Sequence, residues 1–425
     1  MGTNKRTSDT TKGGSTGTSR AISSVSIQNA TTTITIDPTG ISGTSGRGAA
    51  TTTKTKLIIS GRVFEINCLD PLLDREFTHL YGSYLGQETM NWSDFEHAVL
   101  KFFSDNSGRS LYERHEAYFT NFTKIWNRFL NIGNYDEAER LWDLALSPAL
   151  SWENSNPGKP IHKGTPYYFW GMTAILRGDI DKGYALMHRA VQEDIMTTGL
   201  SAPRTPAFAF IGIDYANLNQ AFYPWIHDQE LYLTKRQENY STLYKRLFTL
   251  NDFRQKFLAS PPDIDTLSLF AYTIARLMKL SSVPRHILQS EFAAQLEANL
   301  LFGIVLITDA VIKHKNPEKW KFIDHAKYLS LKAGKGLTIQ QLKYINSAYQ
   351  QQNNFDNTLA SILDGSFKLS DGVGLSGIQS DVAVAYGLRN LSAHTVSAIS
   401  TIHDRFEDVE QAVFNVLFAA VDYLF

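Results

Sequence analysis

The stretch YFWGMTAILRGDIDKGYALMHRAV, Tyr168 to Val191, decides the class of fold. Apolar residues recur at helical spacing on both sides of Gly178-Asp179, so the segment reads as helix, tight turn, helix. An upstream segment, WNRFLNIGNYDEAERLWDLAL from Trp126 to Leu146, has the same texture, with its turn at Gly133-Asn134. In the second helix of each, small residues lie seven apart: Ala138 and Ala145, then Gly183 and Ala190. Small side chains on one face let two antiparallel helices approach closely, the packing of a helical-hairpin repeat.

Outward from these hairpins the chain divides by composition. Residues 1–56 are dominated by Thr, Ser and Gly without an aromatic residue, and such a segment buries too little apolar area to offset its ordering entropy. The expectation is a disordered tail. A short β-like start, KLIISGRVFEI, opens the helical region assigned to 57–284. A Pro/Gly/Asn/Ser-rich insert, SPALSWENSNPGKPIHKGTP, stretches the spacing between the two hairpins, and irregular helices from about 200 to 280 complete the stack. After the break SSVPRH (Ser281–His286), four apolar-periodic segments follow, near 285–315, 319–333, 338–363 and 380–425. Residues 285–425 therefore predict an up-and-down helical bundle, the last segment dividing near His403-Asp404-Arg405-Phe406. The whole is expected to be all-α.

Both hairpins resemble tetratricopeptide units, and Gly171 stands where that family usually has a small residue. The resemblance implies a surface for a protein or ligand trigger.

Bulk properties narrow the functions. The 425 residues are 43% apolar with a formal net charge of −1, which gives no long-range field to gather nucleic acid or anionic membrane. Any nucleic-acid contact is then local. The single cysteine, Cys68, excludes an intrachain disulfide and a cysteine-based metal cluster. The polar N-terminus lacks the apolar core of a secretory signal. The run NLLFGIVLITDAVI (Asn299–Ile312) reads as too short to span a bilayer and contains Asp309, so it is expected to be a buried core helix. A cytoplasmic protein with no membrane partner and no cofactor is expected.

Chemistry concentrates in YGLRNLSAHTV, Tyr386 to Val396. At about 100° per residue, Val384, Leu388, Leu391, Thr395, Ile399 and Ile402 form one stripe, the expected core face. Arg389, Asn390 and His394 lie off it and are expected to face solvent or a partner chain. RNA can be cut when its own 2′-OH attacks the adjacent phosphate. That reaction needs proton transfer at two oxygens and positive charge on the phosphorane. Histidine suits the first task and arginine the second. Asparagine can hold the phosphate or orient the imidazole. The stretch supplies no second histidine, but a twofold dimer would place two copies of the motif in one groove.

The run Arg389-Asn390-Leu391-Ser392-Ala393-His394, late in a C-terminal helical bundle, resembles the signature of HEPN-domain ribonucleases. The resemblance covers 285–425. It implies a metal-independent endoribonuclease with RNA as substrate, a composite site at a homodimer interface, and regulation by another domain, as in toxins and antiphage defence effectors. Carried over are Arg389, His394 and, as polar companion, Asn390. The second reading is a non-catalytic adaptor whose bundle serves for dimerisation. His314 reads as a solvated helix end, His325 as structural, and RSLYERH (Arg109–His115) repeats the loose pattern without its asparagine. No strand-bound phosphate loop and no H-E-x-x-H pattern is present.

Overall fold

In a computed structural model of the chain, the described residues are 35–37, 53–59, 62–68, 92, 93, 96 and most of 115–425, except 159, 200–204, 289–290, 319–320, 351–354 and 392–399. Contacts divide the chain into two compact units, Met1–Arg128 and Phe129–Phe425.

The first unit contains a three-stranded antiparallel sheet in sequence order. Strands β1 (Thr35–Asp37), β2 (Thr53–Ile59) and β3 (Arg62–Cys68) pair so that Ile36 opposes Leu57 and Leu57 opposes Phe64. The β-branched Thr and Ile residues suit a pleated backbone. The β-like start expected at Lys56 is thus found as β2 and β3. Most of the expected tail, 1–56, lies outside the described residues; the exceptions, β1 and the start of β2, are strands. Helix α1 (His115–Asn131) begins in this unit.

The second unit is all-α, as the periodicity predicts. Helix α2 (Tyr135–Ser155) starts at Asn134, whose side chain accepts the Glu137 N–H. The Gly-Asn turn before it uses Gly133 at φ +73°. Helices α3 (Gly164–Arg177) and α4 (Ile180–Thr198) form a hairpin, turning at Gly178 (φ +99°), with Asp179 capping Lys182 N–H. Gly171 faces Gly183 across the pair: a Cβ at 171 would stand 3.1 Å from the Gly183 carbonyl oxygen, and one at 183 would overlap Ile175. The small residues do bring the backbones together. The insert differs from expectation at its start, because α2 continues through Pro148 to Ser155. Pro148 and its neighbours Leu146 and Ala149 are buried, and that packing offsets the lost backbone donor.

Helices α5 (Pro206–Ile211), α6 (Tyr223–Tyr244), α7 (Leu250–Phe253, continued by a π turn at Arg254–Leu258) and α8 (Ile264–Ser281) follow. The bundle adds α9 (Glu291–Lys315), α10 (Phe322–Lys332), α11 (Ile339–Gln350), α12 (Phe355–Leu363), α13 (Ile378–Leu391), α14 (Ser400–Asp404) and α15 (Phe406–Leu424). The expected segment 338–363 is two helices, and the division near Arg405 falls between α14 and α15. The second unit, Phe129–Phe425, runs through residue 284. Helix α6 lies along α15, where Tyr240, Phe248, Phe253 and Phe418 form an aromatic cluster with centroid separations of 5.2 to 6.2 Å.

Helix α9 runs longer than the apolar stretch inside it. By length and composition alone, Phe292–Lys315 could cross a membrane, contrary to the expectation from Asn299–Ile312; half of its most apolar window is buried in the protein. Leu301, Ile304, Val305 and Val311 face the core, and so does Glu297, with a fully buried side chain that ion-pairs with Arg285 and hydrogen-bonds His403.

At the centre stands α13. Its residues Val382 to Leu388 are buried on every side. Such enclosure requires small residues, and Ala383, Ala385 and Gly387 provide them. A Cβ on Gly387 would overlap the ring of Tyr349, which is buried and donates its hydroxyl to the Ala383 carbonyl at 3.2 Å. Gly387→Ala gains about 1 kcal/mol of helix propensity but overpacks a filled core. A net loss of roughly 1–3 kcal/mol is expected, measured by denaturant unfolding; a stabilised variant would contradict the packing described.

Candidate functional site

Helix α13 is half-buried in its first turn, at Gln379 to Asp381, and again in its last, where Arg389 and Asn390 are half-buried and Leu391 is buried. The described members of the expected core stripe, Val384, Leu388, Leu391 and Ile402, are all buried. Thr395, Ile399 and His394 lie outside the described residues, so the face shared by Asn390 and His394 does too.

Arg389 and Asn390 turn to different neighbours. The Arg389 guanidinium stands over the Phe302 ring of α9, 5.7 Å from its centroid, a cation–π contact. Asn390 departs from expectation: it does not face solvent freely. Its Nδ2 donates to Asn346 Oδ1 of α11 at 2.7 Å, and its amide also hydrogen-bonds the Tyr386 hydroxyl. Tyr386 in turn stacks on Phe322 at 6.0 Å with rings 8° from parallel. The reason is local. The end of α13 is flanked by α11, so a short polar side chain there finds a neighbouring amide before it reaches water. Asn390 is therefore fixed in orientation.

Of the other histidines, His325 is fully buried and bonded through Nδ1 to Asp309, a structural role as expected. His314 is exposed at the end of α9 and stacks on Phe425. Arg109 of RSLYERH is outside the described residues, as is the side chain of His115.

One constellation escapes sequence reading. His403, read as a turn residue, lies in α14 with Nδ1 2.9 Å from Glu297 Oε2, while Arg285 bonds both Glu297 and the His403 carbonyl. A carboxylate on Nδ1 fixes the ring and leaves Nε2 for other work. The signal was Glu297 itself: an acidic residue among Ala293, Ala294, Ala298 and Leu301 must be paired if it is buried.

Polar groups also tie α6 to the bundle. Tyr232 and Arg236 both bond Glu410 on α15, and Tyr240 and Arg246 both bond Asp422, the guanidinium with two contacts of 2.7 and 3.1 Å. Tyr244 donates its hydroxyl to Asp381 on α13, which also accepts Asn415 Nδ2 at 2.8 Å. Burial pushes the Asp381 carboxyl up to about 7, outweighing these two hydrogen bonds, which act the other way. Among the described residues, no group of three or more His, Cys, Asp or Glu is placed to hold a metal ion. Comparison with protein-family models, curated proteins and solved structures returns no match for this chain.

Asp381 makes stability depend on pH. Its folded pKa lies above the unfolded value near 3.9, so the folded state binds the proton more tightly. The contribution is full below the unfolded pKa and is lost as pH rises through about 7. The wild type is expected to lose up to a few kcal/mol between pH 4 and 8, and Asp381→Asn to show a flatter profile. Paired urea titrations across that range check this; parallel profiles would refute it.

Proposed function

We propose that this chain is a metal-independent endoribonuclease of the HEPN type, acting in the cytoplasm as a homodimer and regulated by its tetratricopeptide-like helices. One observation carries the reading. Arg389 stands half-buried in the last turn of α13 beside an amide held by Asn346, that of Asn390, five residues before His394 in sequence. A cation at the end of a rigid helix can meet a phosphate without first being ordered.

In the proposed reaction the 2′-oxygen bonds to phosphorus as His394 takes its proton. The 5′-oxygen leaves with a proton from the same histidine of a second copy, and a cyclic phosphate remains. Arg389 stabilises the charge on the phosphorane. Asn390, held by Asn346, positions the phosphate or the imidazole and does not transfer protons. A toxin or antiphage defence role is the biological setting the resemblance implies.

The second reading, a non-catalytic adaptor with a dimerisation bundle, draws on the same contact. The Asn390 amide is occupied by Asn346 and Tyr386, as in a packing residue.

The readings separate on purified protein incubated with total RNA in EDTA. Cleavage by the wild type is expected, with at least a 100-fold loss in His394→Ala and Arg389→Ala. The arginine variant is expected to lose no more than about 1 kcal/mol of stability, its share of the Phe302 contact. Full cleavage by folded His394→Ala protein refutes the nuclease. No cleavage by any form, with dimerisation retained, supports the adaptor.

A further inference from the structure

A cleft of about 300 Å³ opens where the end of α6, the turn after α10, the start of α13 and the last turns of α15 meet. Its lining includes the half-buried Tyr244 and Tyr423 and the fully buried Tyr240, and its rim carries Lys245 and Lys335. Ile378 and Ala419 close the inner side.

The charges around it do not balance locally. Asp422 is engaged by Arg246 and Tyr240, and Asp381 by Tyr244 and Asn415. Among the described residues, neither Lys245 nor Lys335 ion-pairs; Lys335 Nζ donates only to Ser376 Oγ, at 3.2 Å. Lys245 also adopts a left-handed backbone (φ +52°, ψ +45°) at the C-cap of α6, where a glycine is the ordinary choice. Strain of that kind clusters at ligand sites. On the lip, Leu243 is 60% exposed, an apolar side chain with nothing to cover it.

Flat aromatic walls favour a planar ring, two unneutralised ammonium groups favour a dianion, and the volume sits at the small end of ligand pockets. We propose that this cleft binds a nucleoside monophosphate, its base against Tyr244 and Tyr423 and its phosphate between Lys245 and Lys335. The site is separate from Arg389 and does not depend on RNA cleavage.

Calorimetric titration of the full chain tests it, with adenosine and uridine 5′-monophosphates as probes and adenosine and inorganic phosphate as arms. Both nucleotides are expected to bind, and each half alone at least tenfold more weakly. Lys245→Gln and Lys335→Gln are each expected to weaken the nucleotides about tenfold, one charge-assisted contact apiece. Ala333→Trp, which fills the cleft from the end of α10, is expected to abolish binding; if it fails to fold, the two exposed lysines decide alone. No binding of either nucleotide at millimolar concentration overturns the proposal. So does an affinity unchanged in both lysine variants, or phosphate binding as tightly as the nucleotides.

Discussion

The seam between α6 and α15 is the constraint on which the rest of the second unit depends. Glu410 is buried there, and a buried carboxylate without partners costs several kcal/mol. Arg236 and Tyr232 both reach it from α6, and the Arg236 guanidinium also lies 4.3 Å from the Tyr232 ring centroid. Around this polar knot the aromatic side chains from Tyr240 to Phe418 exclude water. The charged contacts fix the register of α6 on α15, and the rings supply most of the buried area. Within the second unit, helices that periodicity assigns to a repeat region and helices it assigns to a bundle thereby pack together.

That arrangement explains the setting of the candidate site. With α15 held on one side by α6 and on another by α9, helix α13 is enclosed from Val382 to Leu388 and reaches the surface in part at its two ends. Its sequence is written for enclosure, small residues alternating with Val and Leu. Polar groups are admitted only where partners wait: Asp381 with Tyr244 and Asn415, and Asn390 with Asn346. Arg389, half-buried, carries its guanidinium over the Phe302 ring of α9.

Much of this was legible in the sequence, for identifiable reasons. The hairpin α3–α4 was readable because Gly178-Asp179 punctuates two periodic runs and Gly171 and Gly183 mark a close approach. The stripe Val384–Leu388–Leu391 was readable because its period is helical. Pro148 misled, since proline signals a break unless tertiary packing overrides it. The orientation of Asn390 was not readable, because a period places a residue on a face of its own helix without saying what stands opposite. Glu297 and His403 are 106 residues apart in the chain, and only the fold brings them together.

Enclosure gives α13 a mechanical character. Its fourteen residues make a rod about 20 Å long, sleeved by close-packed neighbours and lacking an internal proline. One end forms part of the wall of the tyrosine-lined cleft; the other bears Arg389. One uninterrupted run of backbone hydrogen bonds thus joins Ile378, on the cleft, to Arg389.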